Sequence, residues 1–238
     1  MPLLGSAAML LSFDVVPEAI AEHDRWHTHE HLHERLAIPG FLRGTRWVAA
    51  AGGAQVPRYM VLYEVESLAT LASEPYQQRL NHPSPWTQRV MPHYRGMRRG
   101  FCTVLGSFGL GTGHAGALLR FKAPGGGVQA APHRWLLEQV LPTWPARPGL
   151  GSVHLLEGAA APAMTNEQRL RGAADAGVDS ALIVTGYDEG AVAAAVQDLG
   201  AAELARHGAT DVTSAAYRLD YTLAAVELAR ARAVTNPT

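Results

Sequence analysis

Apolar residues first gather over residues 8–16, and the run predicts a β-strand. Pro17 suits the first turn of a helix, and the pattern stays helical over 17–36 until Pro39-Gly40 breaks it. Strands are predicted over 41–50 and 59–65, on either side of a turn at Ala51-Gly52-Gly53. Ser67 reads as the cap of a helical region over 67–80. The stretch Asn81-His82-Pro83-Ser84-Pro85-Trp86 leads to more helix, and residues 98–105 form a fourth strand. This order, β-α-β-β-α-β, is the split βαβ or ferredoxin-like unit.

The second half reads the same way. A strand over 117–123, a helix over 131–144 and a strand over 151–157 are followed by an insertion over 159–177. Then come a strand over 180–186, an Ala-rich helix over 189–207, a strand over 211–221 and a tail of helical character. Two anchors repeat with it. Trp26 and Pro39 are 13 residues apart, as are Trp135 and Pro148, and the two pairs are offset by 109. The pattern therefore predicts two ferredoxin-like repeats in one chain: 1–108, a Gly-rich linker at 109–116, and 117–238.

Tyr59-Met60-Val61-Leu62-Tyr63 is apolar at both parities, whereas a sheet with one wet face alternates. Both faces want cover. The expected fold is α+β, with the two antiparallel sheets packed face to face as an intrachain barrel and the helices outside.

The first helix departs from a plain amphipathic pattern. At about 100° per residue, Val16, Ile20, His23, His27, Glu30, His31 and Glu34 share one stripe, with Trp26 on its edge. His29, Leu32, His33 and Leu36 point elsewhere on the same wheel. Dry burial of such groups costs several kcal/mol unless they are paired, so the stripe predicts a polar cavity between helix and sheet. His27 and His31 are the candidate proton-transfer residues, with Glu30 to orient them. Arg35 and Arg46 would meet developing negative charge, and Trp26, Glu34, Tyr63 and Trp86 would help line the site.

Composition removes other classes. Twenty Lys and Arg against 21 Asp and Glu leave a net charge of −1, with no basic footprint for nucleic acid. Cys102 is the single cysteine, so an internal disulfide is excluded and a reducing, cytoplasmic setting is expected. The longest uncharged stretch, 100–119, carries six glycines and His114, poor material for a membrane span. His29-Glu30-His31-Leu32-His33 matches the zinc-protease helix pattern, but its His29/His33 face is not the one that Ile20 anchors. Gly111-Thr112-Gly113-His114-Ala115-Gly116 spells a dinucleotide fingerprint, yet a strand follows it where a helix is required. No metal and no cofactor are expected from these motifs.

The first half, over 8–105, resembles the dimeric α/β-barrel superfamily, above all its EthD-like and uncharacterised members. Residues 26–41, Tyr59-Met60-Val61-Leu62-Tyr63-Glu64 and 81–87 carry the resemblance. His33 stands where such relatives commonly have Pro. The resemblance implies a small-molecule site between sheet and helices at Trp26, His27, Glu30, His31, Glu34 and Arg35. It implies cofactor-independent oxygenase, isomerase or decarboxylase-type chemistry on an apolar or aromatic compound. A non-catalytic binding module and a haem enzyme are the alternatives, and a homodimer is compatible with all three. Shifted by 109, His27, Glu30, His31 and Glu34 fall on Leu136, Gln139, Val140 and Thr143, so the competent pocket is expected in the first half alone.

Overall fold

Eight antiparallel strands close into a barrel in the computed structural model, which describes residues 3–50, 56–160, 164–172 and 174–235. They are β1 (Ala7–Val15), β2 (Phe41–Ala49), β3 (Tyr59–Val65), β4 (Tyr94–Gly109), β5 (Ala115–Lys122), β6 (Leu150–Ala159), β7 (Ser180–Gly186) and β8 (Thr210–Ala224). Around the barrel they run β1-β3-β2-β8-β5-β7-β6-β4. The first four strands thus lie in the order β4-β1-β3-β2 and the last four in the same order, β8-β5-β7-β6.

The helices are α1 (Ile20–Trp26), α2 (Leu32–Leu36), α3 (Glu74–Asn81), α4 (Pro85–Val90), α5 (Ala131–Trp135), α6 (Asn166–Leu170), α7 (Glu189–Leu199), α8 (Ala201–Arg206) and α9 (Ala225–Thr235). They pack outside the barrel. β3 and β7 are buried at all seven positions each, which is what apolar residues at both parities require. Tyr59, Val61, Tyr63 and Val65 face the helices, while Met60 and Leu62 join Leu10, Trp47, Leu118, Leu156 and Ile183 in the lumen. Cys102 is buried there too, and burial pushes its thiol up to about 12. Among the described residues no helix is long and apolar enough to cross a membrane.

Several expectations need correction. β4 and β8 outrun the predicted strands because each pairs with both halves, β4 with β1 and β6, β8 with β5 and β2. Their glycines and polar residues hide that length from an apolar count. The helix expected over 67–80 is two pieces, a 3-10 stretch at Leu68–Ala72 and then α3, and Ser67 makes no side-chain cap. The helix over 189–207 breaks at Gly200, whose φ of +44° ends α7. Ala115 and Gly116 belong to β5 rather than to a linker. The insertion contains α6, closed by a capping box between Thr165 and Gln168. The turn expected at 51–53 lies outside the described residues.

The helical run after β1 holds the most consequential departure. Between α1 and α2, residues His27–His31 make a π-turn in which the Leu32 amide donates to the His27 carbonyl. One extra residue in the turn shifts every later side chain by about 100°. Leu32 and Leu36, expected to point away, are therefore buried below Trp26 and His27, and Arg35 is buried with them. A second π-turn occupies Leu136–Val140, closed by the Leu141 amide on the Leu136 carbonyl. It also replaces part of the helix expected over 131–144, ahead of a 3-10 turn at Trp144–Ala146.

Gly44 makes the seating of α2 on the sheet possible. A Cβ there would stand 2.4 Å from Leu32 Cδ2 and 3.1 Å from the Tyr63 ring. Gly44→Ala is therefore expected to lift the helix and cost about 1–3 kcal/mol. Urea unfolding of the variant checks this, and an unchanged midpoint would mean the helix is not clamped at that point.

Candidate functional site

Between the α1/α2 run and the outer face of β1, β3 and β2 lies a cluster of polar and aromatic side chains. The open polar cavity expected there is replaced by close ring packing. His23 is 0 % exposed, His27 2 % and His31 7 %. The ring centroids of His23 and His27 are 5.5 Å apart and those of His27 and His31 5.6 Å, so the imidazoles form a ladder along the helix. Trp26 covers His31 at 4.3 Å and is itself 0 % exposed. Phe13, Tyr59 and Tyr94 surround His23 at 5.6, 4.5 and 5.5 Å.

His27 bridges helix and sheet. Its Nδ1 lies 3.2 Å from Arg46 Nη1, and its Nε2 lies 3.2 Å from the Tyr63 hydroxyl. Arginine can only donate, so Nδ1 accepts and the neutral ring carries its proton on Nε2, toward Tyr63. Burial above all, with the Arg46 guanidinium beside the ring adding to it, holds the His27 pKa well below the usual histidine value. Arg46 is held in turn by Asp220 at 2.6 Å and by the Asp24 carbonyl at 3.3 Å. Burial also pushes the Tyr63 hydroxyl above the ordinary tyrosine range.

His23 was not among the residues singled out for chemistry, though its stripe position beside Asp24 was the available signal. Its Nδ1 donates to Asp24 Oδ1 at 3.0 Å, which leaves the lone pair on Nε2. Asp24 also accepts from the Tyr59 hydroxyl at 2.8 Å. Burial raises the Asp24 carboxyl, but the bonds from His23 and Tyr59 outweigh it and hold it below the ordinary value. Burial is the main reason that His23 and His31 are both lowered. Four buried side-chain nitrogens have no hydrogen-bond partner among the described residues: His23 Nε2, His31 Nδ1 and Arg35 Nη1 under this helical run, and Arg120 Nη1 on β5.

Arg35, 1 % exposed, donates from Nη2 to Glu167 Oε1 at 2.5 Å and lies 5.7 Å over the Tyr76 ring. Burial works against its charge, but Glu167 beside it holds the guanidinium more firmly protonated than usual. Glu167 arrives on α6, 132 residues away along the chain, so only the fold could reveal it. A cleft of about 250 Å³ lies between the start of β4, at Tyr94, Gly96 and Met97, and the chain after α6, at Arg171 and Ala176.

Three of the expected residues lie elsewhere. Glu30 turns away from the imidazoles, accepting from Trp26 Nε1 at 3.2 Å and from Ser84 Oγ at 2.5 Å, so it fixes the start of α4. Glu34 pairs with Arg79 at 3.0 Å at the edge of another cleft. Trp86 donates to Glu22 at 2.6 Å, beyond Arg25. The π-turn rotates Glu34 off the stripe, and the stripe was too wide to separate Glu30. Sequence reasoning also missed His154, inside the barrel, where it contacts Ser107 Oγ at 2.8 Å and Ser152 Oγ at 3.1 Å. Burial, with Arg43 adding to it, lowers this ring to about 3.

No family model matches the chain, and no curated protein matches it. Solved structures do. An anthrone oxidase-like protein superposes with a TM-score of 0.56 at 14% identity, over 94% of this chain and 96% of its own. A putative monooxygenase from Lactobacillus acidophilus gives 0.56 at 8% identity, over 92% and 96%. A putative monooxygenase from Fusobacterium nucleatum gives 0.57 at 8%, over 93% and 95%. At such identities the likeness is one of architecture: the chain shares the overall fold of these proteins, and its own eight strands close into one barrel.

Proposed function

We propose that the protein is a small-molecule enzyme in which a buried neutral imidazole takes a proton from an apolar, oxygenated compound, aromatic or polyketide-like. The observation that carries this reading is the set of three unpartnered polar atoms, on His23, His31 and Arg35, under one helical run. A ligand oxygen supplies partners that the protein does not. His23 is the better-placed base of the two, because Asp24 fixes its tautomer and stabilises the imidazolium that forms. His31 is the second acceptor. His27, with both ring nitrogens engaged, positions Tyr63, whose hydroxyl proton is directed to the ligand. Arg35 receives the negative charge left on the substrate. The anion so formed is reprotonated elsewhere in an isomerisation or attacks O2 in an oxygenation, and a decarboxylation reaches the same kind of anion by losing CO2 in place of a proton.

The monooxygenase-like and anthrone oxidase-like names of the structural neighbours support the class without specifying a substrate. Duplication belongs to the same proposal. The two π-turns begin at His27 and Leu136, the offset of 109 that the Trp and Pro anchors show, and Gly40 and Gly149 match at φ +87° and +88°. On this reading 1–108 and 117–238 are ferredoxin-like repeats related to the EthD-like proteins, with the ionisable residues kept in the first.

A haem does not fit the cluster. His27 has no free nitrogen, His31 lies against Trp26, and His23 is enclosed by Phe13, Tyr59 and Tyr94. The test of the proton-transfer reading is turnover across a panel of hydroxylated and keto aromatics. His23→Gln and His31→Gln should each lower the rate by about 10²–10⁴, while His29→Gln, on the exposed side of the helix, leaves it unchanged. Full turnover in the His23→Gln/His31→Gln double variant would end the proposal.

A further inference from the structure

The insertion carries more than a counter-ion to the site. On α6, Glu167 and Leu170 stand one turn apart, on one face of the helix. Glu167 reaches the buried Arg35, and Leu170 packs against the first-half core beside it. Together they present a carboxylate joined to a hydrocarbon body. Apart from Glu167, α6 is tied by polar groups at its start and middle: the Asn166 amide and Nδ2 donate to the Asn81 side chain and carbonyl at 3.2 and 2.8 Å, and Gln168 Nε2 donates to Asp175 Oδ2 at 3.1 Å. A cleft of about 530 Å³ lies between α6 and the α3–α4 connection, lined by Asn166, Arg169 and Leu170 on the α6 side.

A buried ion pair contributes little net stability over a hydrocarbon contact, because desolvation offsets the attraction. What the pair does supply is a preformed anion seat. Arg35 Nη2 is occupied by Glu167, while Nη1 has no partner, so one carboxylate oxygen is met and the second arm of the fork is not. A free carboxylate could bind both arms in the parallel geometry that arginine favours.

We infer that the site takes a small carboxylic acid with an apolar, ring-sized body, and that Glu167 and Leu170 occupy its place as an intramolecular stand-in until the acid displaces α6. This rests on the cluster being a binding site, as proposed above. It adds the charge of the ligand and the element that must move. The carboxylate lies on Arg35, the ring lies where Leu170 packs against the first-half core, and His31 is brought within reach of the ligand's polar groups.

Two probes of the same shape separate the possibilities: 1-naphthoate and its neutral counterpart, 1-naphthalenemethanol, followed by quenching of tryptophan fluorescence. Glu167→Gln removes the competing charge and keeps the side-chain shape. It should tighten 1-naphthoate at least tenfold and leave the alcohol within twofold of wild type. Adding Arg35→Met should abolish the preference for the acid. In the unmodified protein, saturating 1-naphthoate should speed hydrogen exchange of the α6 amides, a readout that needs no variant to fold. Binding of both probes with equal affinity, unchanged in Glu167→Gln and with α6 exchange unaltered, would overturn the stand-in and leave the binding site. Binding of neither probe to any of these proteins would overturn the site as well.

Discussion

Lowering the pH from 7 to 5 destabilises the protein, by at least the share of its buried histidine inside the barrel. His23, His27, His31 and His154 are neutral in the folded state because burial holds their pKa values down, His154 at about 3. In the unfolded chain each takes up a proton below about pH 6.5. The unfolded state then binds more protons, so stability rises with pH, is fully present above that value, and is lost as the pH falls. Each ring that stays neutral steepens the loss by about 1.4 kcal/mol per pH unit. His154 alone removes about 2 kcal/mol by pH 5. The three helix imidazoles act in the same direction. Melting temperature measured from pH 8 to 4.5 checks this. His154→Gln should flatten the slope by one proton's share, and a melting temperature constant from pH 7 to 5 would contradict the buried neutral state.

The second large effect comes from the Arg35–Glu167 pair. Glu167→Ala leaves a guanidinium 1 % exposed without its counter-charge, which costs about 3–5 kcal/mol. Arg35→Met with Glu167→Leu should recover most of that, since hydrocarbon of similar volume needs no counter-charge. Urea midpoints of the three proteins are the measurement. A loss below about 1 kcal/mol in Glu167→Ala would mean that Arg35 reaches water by a small movement, as long cationic side chains can.

These two effects also mark how far the residues could be read in advance. Strands apolar at both parities, such as β3, announced a sheet buried on both faces, and the closed barrel followed from that. The polar stripe of the first helix was legible because three imidazoles recur at helical spacing on the side that Ile20 anchors. Its later half was not, since periodicity assumes a constant turn and the π-turn at His27–His31 inserts a residue. That slip explains why Leu32 and Leu36 were expected outside and why Glu34 was expected within. Glu167 was beyond reach for another reason, because its meaning depends on a partner 132 residues away. His154 alternates with apolar residues in β6, as Ser152 does, and nothing local distinguishes a lumen position from a wet one.

Joining both halves of the barrel in one polypeptide has a consequence for the balance between robustness and chemistry. An assembly of two identical subunits must place every ionisable group twice, and must tolerate both copies. Here the position of His27 in one π-turn corresponds to Leu136 in the other, and the core beneath the second turn is built from Leu, Val and Ala with Trp144. Beneath the second turn the buried His133 has both ring nitrogens bonded, to the Gly127 carbonyl and to Ser180 Oγ, while beneath the first His23 and His31 each keep one nitrogen without a partner. The shared strands β4 and β8 join these two unlike interiors into one closed sheet, so a change in either is felt by both.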